Sequence, residues 1–258
     1  MLRTLLFCAV LGAAAGMMTA KAQPPPAPLP NFAGVALRLW DWSAPFTPSQ
    51  WSEPKLGGYD WRADHALIRD GELMLSVSEK ASGQVQSNAA AAASSALWEV
   101  DVTIPPMRNG LIAAPLWTFN ADTFDEIDFE VVGRKGLQLT VWSAVDGRHT
   151  AVWSRQVIDG DLSGHRYRLG IGYVAGERIV FLVNGRQVAE VRPEDAPRGF
   201  PSTPQKPYFD LWVANGLDPG WAGRWSPLRP GERLTMRLHG YRTTPWGDRA
   251  SVPEKATD

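Results

Sequence analysis

Glu126, Asp128 and Glu130 are three carboxylates at i, i+2 and i+4, separated by the large apolar residues Ile127 and Phe129. On a β-strand that spacing sends all three acids to one face and both hydrophobes to the other. A rise of roughly 3.3 Å per residue puts the two glutamate Cα atoms about 13 Å apart. Side chains leaning towards a common point can bring their carboxyl groups to within about 5 Å, the separation at which a carboxylate pair cleaves a glycosidic bond with retention. That reaction needs one ionised carboxylate to form a covalent intermediate and one protonated carboxyl to protonate the leaving oxygen. Three acids on one face cannot all ionise cheaply, so at least one is pushed to hold its proton near neutral pH. Asp128, in the middle, is placed to share a hydrogen bond with Glu126, and its titration belongs to the cluster. The alternative is a solvated acidic strand face. Val131 and Val132 argue against it, because they continue the apolar run.

The elements that must position these acids read as short strands. Leu73, Leu75 and Val77 alternate with polar or small residues after Asp70-Gly71. Tyr167, Leu169, Ile171 and Tyr173 repeat the pattern, as do Leu234, Met236 and Leu238. Ile179 to Val183 leads into Asn184-Gly185, a two-residue hairpin signal with a defined turn type. The Ala89–Ala93 run has helical propensity, but its neighbours pattern with period two, so it is read as the approach to a strand over 95–104. No convincing helix, second linker or repeat is found. Many short strands punctuated by Gly, Pro, Asn and Asp predict an all-β sandwich or jelly roll.

The first 22 residues read as a secretory signal: Arg3 at the start, an apolar stretch from Leu5 to Gly16, and Ala20-Lys21-Ala22 as a cleavage site. The apolar run is too short to span a membrane. Cys8 is the only cysteine and lies in the middle of this stretch, so lipid attachment is not expected and the mature chain has no thiol. A bacterial protein that is periplasmic or secreted, without disulfides, is expected. Residues 23–30 form a Pro-rich leader, 31–245 the folded domain and 246–258 a polar tail. Arg3 and Lys21 fall within the signal, so of 26 basic residues 24 remain against 27 acidic ones. That balance, with no Lys/Arg run, excludes nucleic acid and anionic lipid as expected partners. The chain carries 12 tryptophans, a side chain that serves equally in cores and against the apolar faces of sugar rings.

The run Asp125-Glu126-Ile127-Asp128-Phe129-Glu130 followed by Val131-Val132-Gly133 resembles the signature of glycoside hydrolase family 16. Looser blocks keep the order found in that family: Trp61 with Asp70-Gly71-Glu72-Leu73, Leu97-Trp98-Glu99-Val100, and Asn109-Gly110 leading to Trp117. Gly164-His165-Arg166-Tyr167, Val183-Asn184-Gly185 and Asp210-Leu211-Trp212 with Trp221 follow, so the likeness covers residues 59–242. The uninterrupted motif is similar to the lichenase and xyloglucan-active branches. The resemblance implies a concanavalin-like β-jelly-roll sandwich of two curved antiparallel sheets, with a sugar-binding cleft across the concave face. It makes Glu126 the nucleophile and Glu130 the general acid/base, with Asp128 between them.

Trp212 and Trp221 are the expected sugar-stacking platforms, with Asp210 on the face of Trp212. Trp117 is a further candidate, core and cleft being equally open for it. Trp40, Trp42, Trp51, Trp61, Trp98, Trp142 and Trp153 are read as mostly structural, and so is His165. His65, His149 and His239 are scattered with no second ligand nearby, so no transition-metal site is expected. Many members of the family hold a structural calcium. The acid that would serve it is missing around Leu238-His239-Gly240-Tyr241, so no cofactor is expected. Lichenases usually carry Trp at the position of Phe124, Arg in the segment Val85-Gln86-Ser87 and Asn at Asp210, so the machinery matches while the sugar contacts differ. The expected activity is a secreted retaining endo-β-glycanase, acting as a monomer on a β-glucan or bacterial exopolysaccharide. A transglycosylase using the same site is one alternative. A lectin-like binding module is another, although it would be expected to have lost one acid of the motif.

Overall fold

The structure, a computed structural model, describes residues 36–246. Its first seven strands are β1 (Phe46–Pro48), β2 (Asp60–Trp61), β3 (Ala66–Arg69), β4 (Glu72–Val77), β5 (Ala81–Ser87), β6 (Ser95–Thr103) and β7 (Leu111–Asn120). The eight that follow are β8 (Asp125–Val132), β9 (Gly136–Val145), β10 (Arg148–Asp159), β11 (Arg166–Val174), β12 (Arg178–Val183), β13 (Arg186–Val191), β14 (Lys206–Val213) and β15 (Leu234–Thr244). One sheet runs β1-β5-β14-β7-β8-β9-β10, with β2 pairing on β5. The other runs β13-β12-β11-β6-β15-β4-β3. Every pairing is antiparallel except β2 with β5. The result is the jelly-roll sandwich that the alternating pattern predicts.

Period-two alternation builds the core between the sheets. Leu73, Leu75 and Val77 of β4 and Leu169 and Ile171 of β11 are fully buried in it. From the opposite sheet, Ile127, Phe129 and Val131 of β8 enter the same cluster, and the Phe129 ring meets Phe181 edge-on at 5.3 Å and 87°. Asn184 and Gly185 both adopt positive φ, 53° and 76°, which is the turn the Asn-Gly pair predicts between β12 and β13. Asp146 and Gly147 do the same between β9 and β10, at 51° and 71°.

Two irregularities bear on the acidic strand. Opposite Glu130, β7 is bulged: Ala113 pairs with Val131 and Leu116 with Phe129, leaving Ala114 and Pro115 against one residue. Proline has no N–H for a ladder, so a bulge is where a central strand tolerates it. The β7–β14 register shifts at the same level, between Tyr208 and Asp210. The β8–β9 ladder runs unbroken from Glu126 to Val132.

Two expectations are corrected. Ala89–Ala91 form a single 3-10 turn, because the Asn88 side chain accepts a hydrogen bond from the Ala90 N–H and caps it. Trp246, assigned to the polar tail, is buried against Leu97, Val180 and Leu182. The signal segment, the leader and positions 247–258 lie outside the described residues. Among the described residues no helix is long and apolar enough to cross a membrane.

Phe129→Ala should cost about 3–5 kcal/mol of stability in denaturant unfolding, from lost transfer energy and the cavity left behind. A loss below about 1 kcal/mol would mean that the inner face of β8 does not hold this strand in place.

Candidate active site

Because Ile127 and Phe129 fill the core, Glu126, Asp128 and Glu130 emerge on the opposite face of β8, where all three line one cavity. The neighbouring strands bring matching residues to that face. Glu126 pairs with Phe119 on β7 and Trp142 on β9, and Trp142 pairs with Ala151 on β10. Asp128 lies level with Trp117, Thr140 and Ser154, and Glu130 with Gln138. Asp210 and Trp212 join the same cavity from β14, and Trp61, Leu217 and Trp221 close its side.

Burial dominates the electrostatics. The Glu130 carboxyl is pushed up to about 7 by desolvation. Glu126 is raised well above the ordinary carboxylate range, first by burial and then by the charge of Glu130, while a hydrogen bond with Asp128 opposes the rise. Asp128 is also raised well, by burial and by both glutamates, against the pull of Trp142. Trp142 Nε1 donates to Asp128 Oδ2 at 2.6 Å and fixes the middle acid. Asp210 is the fourth buried acid. Desolvation lifts it to about 8, offset in part by Gln84, Trp117 and Trp61, and Gln84 Nε2 donates to its Oδ2 at 2.8 Å. Four carboxyls so placed release their protons one at a time, keeping some protonated while another is charged.

Two kinds of wall face each other across the acids. On one side Trp51 stacks on Trp61 at 4.1 Å, Trp61 leans on Trp212 at 6.3 Å, and Trp212 leans on Trp221 at 6.1 Å. On the other, Gln138 Nε2 donates to Ser154 Oγ at 3.0 Å and to Thr140 Oγ1 at 3.2 Å. Trp221 Nε1 donates to Gln138 Oε1 at 3.2 Å and ties the two sides together. Flat apolar rings beside hydroxyl and amide groups suit a ligand whose faces are apolar and whose edges carry hydroxyls.

Most residues singled out in the sequence meet here: the three motif acids with Asp210, Trp117, Trp212 and Trp221. Two do not. Phe124 sits at φ 60° in the turn before β8 and packs on the Trp117–Phe119–Tyr208 cluster rather than lining the cavity. Gln86 shares the face but donates to Ser49 Oγ at 3.2 Å, and Gln84, two residues earlier, makes the contact to Asp210. Trp61 and Trp142, read as structural, line the cavity, and Trp42 is exposed. His149, read as scattered, stands with its Nε2 3.6 Å from Glu126 Oε2.

Among the described residues no cluster of three or more His, Cys, Asp or Glu could hold a metal. Where the family's calcium acid would be sought, the Glu72 carboxylate is engaged by Arg237 and His239, and Gly240 packs against Leu37 and Arg38. These residues do not fit a calcium cradle.

Residues 58–227 match the family model of glycosyl hydrolases family 16. By sequence, no curated protein matches. Among solved structures, a lichenase from a mouse hindgut metagenome superposes with a TM-score of 0.65 at 18% identity, covering 80% of this chain and 95% of that one. An endo-1,3-β-glucanase (laminarinase) catalytic domain from Thermotoga petrophila gives 0.62 at 14%, covering 80% and 92%. A Bacteroides ovatus mixed-linkage-glucan enzyme in complex with a G4G4G3G product gives 0.62 at 15%, covering 80% and 97%. These likenesses establish the sandwich fold.

Asp210 should impose a pH dependence on stability. An unfolded aspartate ionises near pH 4, whereas the folded one holds its proton to about 8. Between those values the native state binds the extra proton, so this group makes stability fall as pH rises. Urea midpoints of Asp210→Asn should therefore decline less than those of the wild type from pH 4 to 8. Equal slopes would show that Asp210 is ionised in the fold.

Proposed function

The chain belongs to the glycosyl hydrolases of family 16, and from that premise we propose that it is an exported, retaining endo-β-glycanase that cleaves a β-linked polysaccharide by double displacement. The observation that carries this reading is the placement of Glu126, Asp128 and Glu130 side by side on one strand in the floor of a cavity walled by tryptophans. Glu126 serves as nucleophile. Its carboxylate attacks the anomeric carbon while Glu130 gives its proton to the glycosidic oxygen, and the leaving chain departs. Glu130, now ionised, takes a proton from water, whose oxygen displaces Glu126 from the same carbon and frees the product. Burial raises the Glu130 carboxyl and so favours the protonated acid that the first step requires, while the hydrogen bond with Asp128 favours the ionised form of Glu126. Asp128, held by Trp142, shares a hydrogen bond with Glu126 and steadies the charge there.

Trp61, Trp212 and Trp221 offer stacking surfaces to sugar rings, and Asp210 offers a protonated carboxyl to a sugar hydroxyl. The fold neighbours include a lichenase, a laminarinase domain and an enzyme bound to a mixed-linkage product. That range supports β-glucan as the substrate class and favours no single linkage. The leading 22 residues support action outside the cytoplasm of a bacterium.

A screen of β-1,3-, β-1,4- and mixed-linkage glucans, scored by released reducing ends, tests the reading. The wild type should act on at least one of them and deliver the β-anomer first in a proton NMR time course. Glu126→Gln and Glu130→Gln should each lose more than about a hundredfold in kcat with unchanged circular dichroism. Near-normal hydrolysis by either variant sinks the assignment, and no release from any glucan sinks the substrate class.

A further inference from the structure

His149 has no part in the reaction as drawn, yet it stands against its central group. The register of β9 and β10 sets His149 opposite Ala144, two pairs along from the Trp142–Ala151 pair and so on the same face, and Trp142 in turn pairs with Glu126. The imidazole stacks on Trp142 at 4.8 Å and 27°, and Phe119 and Phe124 each approach it at 6.2 Å. The ring is thereby held with Nε2 facing Glu126 Oε2 at 3.6 Å. Both atoms are sealed from solvent, and neither has a hydrogen-bond partner. A buried polar atom left unpaired costs free energy, and here two such atoms confront each other. Hydrogen bonds in ligand-free active sites are often long and tighten when substrate binds.

Resting on the reading of Glu126 as nucleophile, we propose that His149 is its positioning residue: the neutral imidazole donates Nε2–H to Glu126 Oε2 and holds that carboxylate in place for attack. Burial takes the His149 ring down to about 4, against the pull of Asp125, which favours the neutral ring, and its Nε2–H tautomer is the one that supplies the donor. Glu126 otherwise faces Glu130, Asp128 and Asp210, all of them acids, and the phenol of Tyr208. A donor on the fourth side eases the ionisation those neighbours oppose. Asp128 and His149 then steady Glu126 from two directions.

His149→Phe keeps a ring on Trp142 and removes the donor, whereas His149→Gln keeps an N–H. On barley mixed-linkage glucan and laminarin, His149→Phe should lower kcat on the order of tenfold or more with KM within about twofold. Its acidic limb of kcat/KM should move up by about one pH unit and the alkaline limb should stay. His149→Gln should recover part of both. A merely structural ring would lower the melting temperature without moving the limb. Nitrogen-15 spectra of the ring provide a readout free of turnover: in the wild type the proton sits on Nε2 and the signal follows the ionisation of Glu126, and in Glu126→Gln that response disappears. A wild type inactive on both glucans would count against the hydrolase reading, while the spectra would still decide this contact. A ring proton on Nδ1, or a His149→Phe variant with wild-type kcat and acidic limb, overturns the proposal.

Discussion

The burial of Ile127, Phe129 and Val131 between the sheets is the constraint on which the rest of the molecule depends. A strand has two faces and a strict alternation, so committing these side chains to the core commits Glu126, Asp128 and Glu130 to the cavity. The free energy that places the acids comes from apolar surface on the other side of the same backbone. Acids on that face, shielded from water, would otherwise destabilise the strand.

The surroundings then divide the labour among chemically similar groups. Burial raises all four carboxyls, and their differences come from neighbours: Asp128 has an indole donor, Asp210 has Gln84, and Glu130 is shifted by desolvation alone. The indole that fixes Asp128 also supports the His149 ring, so Trp142 reaches two members of the site from one position. The tryptophan wall and the Gln138 network share a tie through Trp221.

Much of this was legible in the sequence because it follows from parity. The motif strand, the inward residues of β4, β11 and β15 and the Asn184-Gly185 turn are local patterns, and each appears as read. Asp210 and Trp212 were placed on one face by the same count. Trp142 and His149 were missed because their roles depend on pairing between strands. The pairing was recoverable in part: Asp146-Gly147 is a hairpin dipeptide, and counting back from it sets β10 beside β9. A register shift between Ala151 and Trp153 spoils that count further along. Gln86 was singled out through the lichenase-like segment Val85-Gln86-Ser87, whereas the contact of Gln84 with Asp210 depends on the pairing of β5 with β14. The short turn at Ala89–Ala91 depends on a single side-chain cap, which a pattern of hydrophobes does not register.

The bulge at Ala114 and Pro115 distinguishes the two ends of the acidic strand by their pairing. Glu126 is stitched into continuous ladders on both sides, whereas Glu130 faces a seam where β7 loses register with β8 and, at the same level, with β14. Under the mechanism proposed above, bond formation at carbon falls at the end with continuous pairing on both sides, and proton delivery at the end beside the bulge. A nucleophile has to stay on one line of approach, whereas a proton donor must follow an oxygen that first departs and is then replaced by water. The proline that interrupts the sheet therefore puts the break in pairing beside the proposed proton donor, the partner whose target moves.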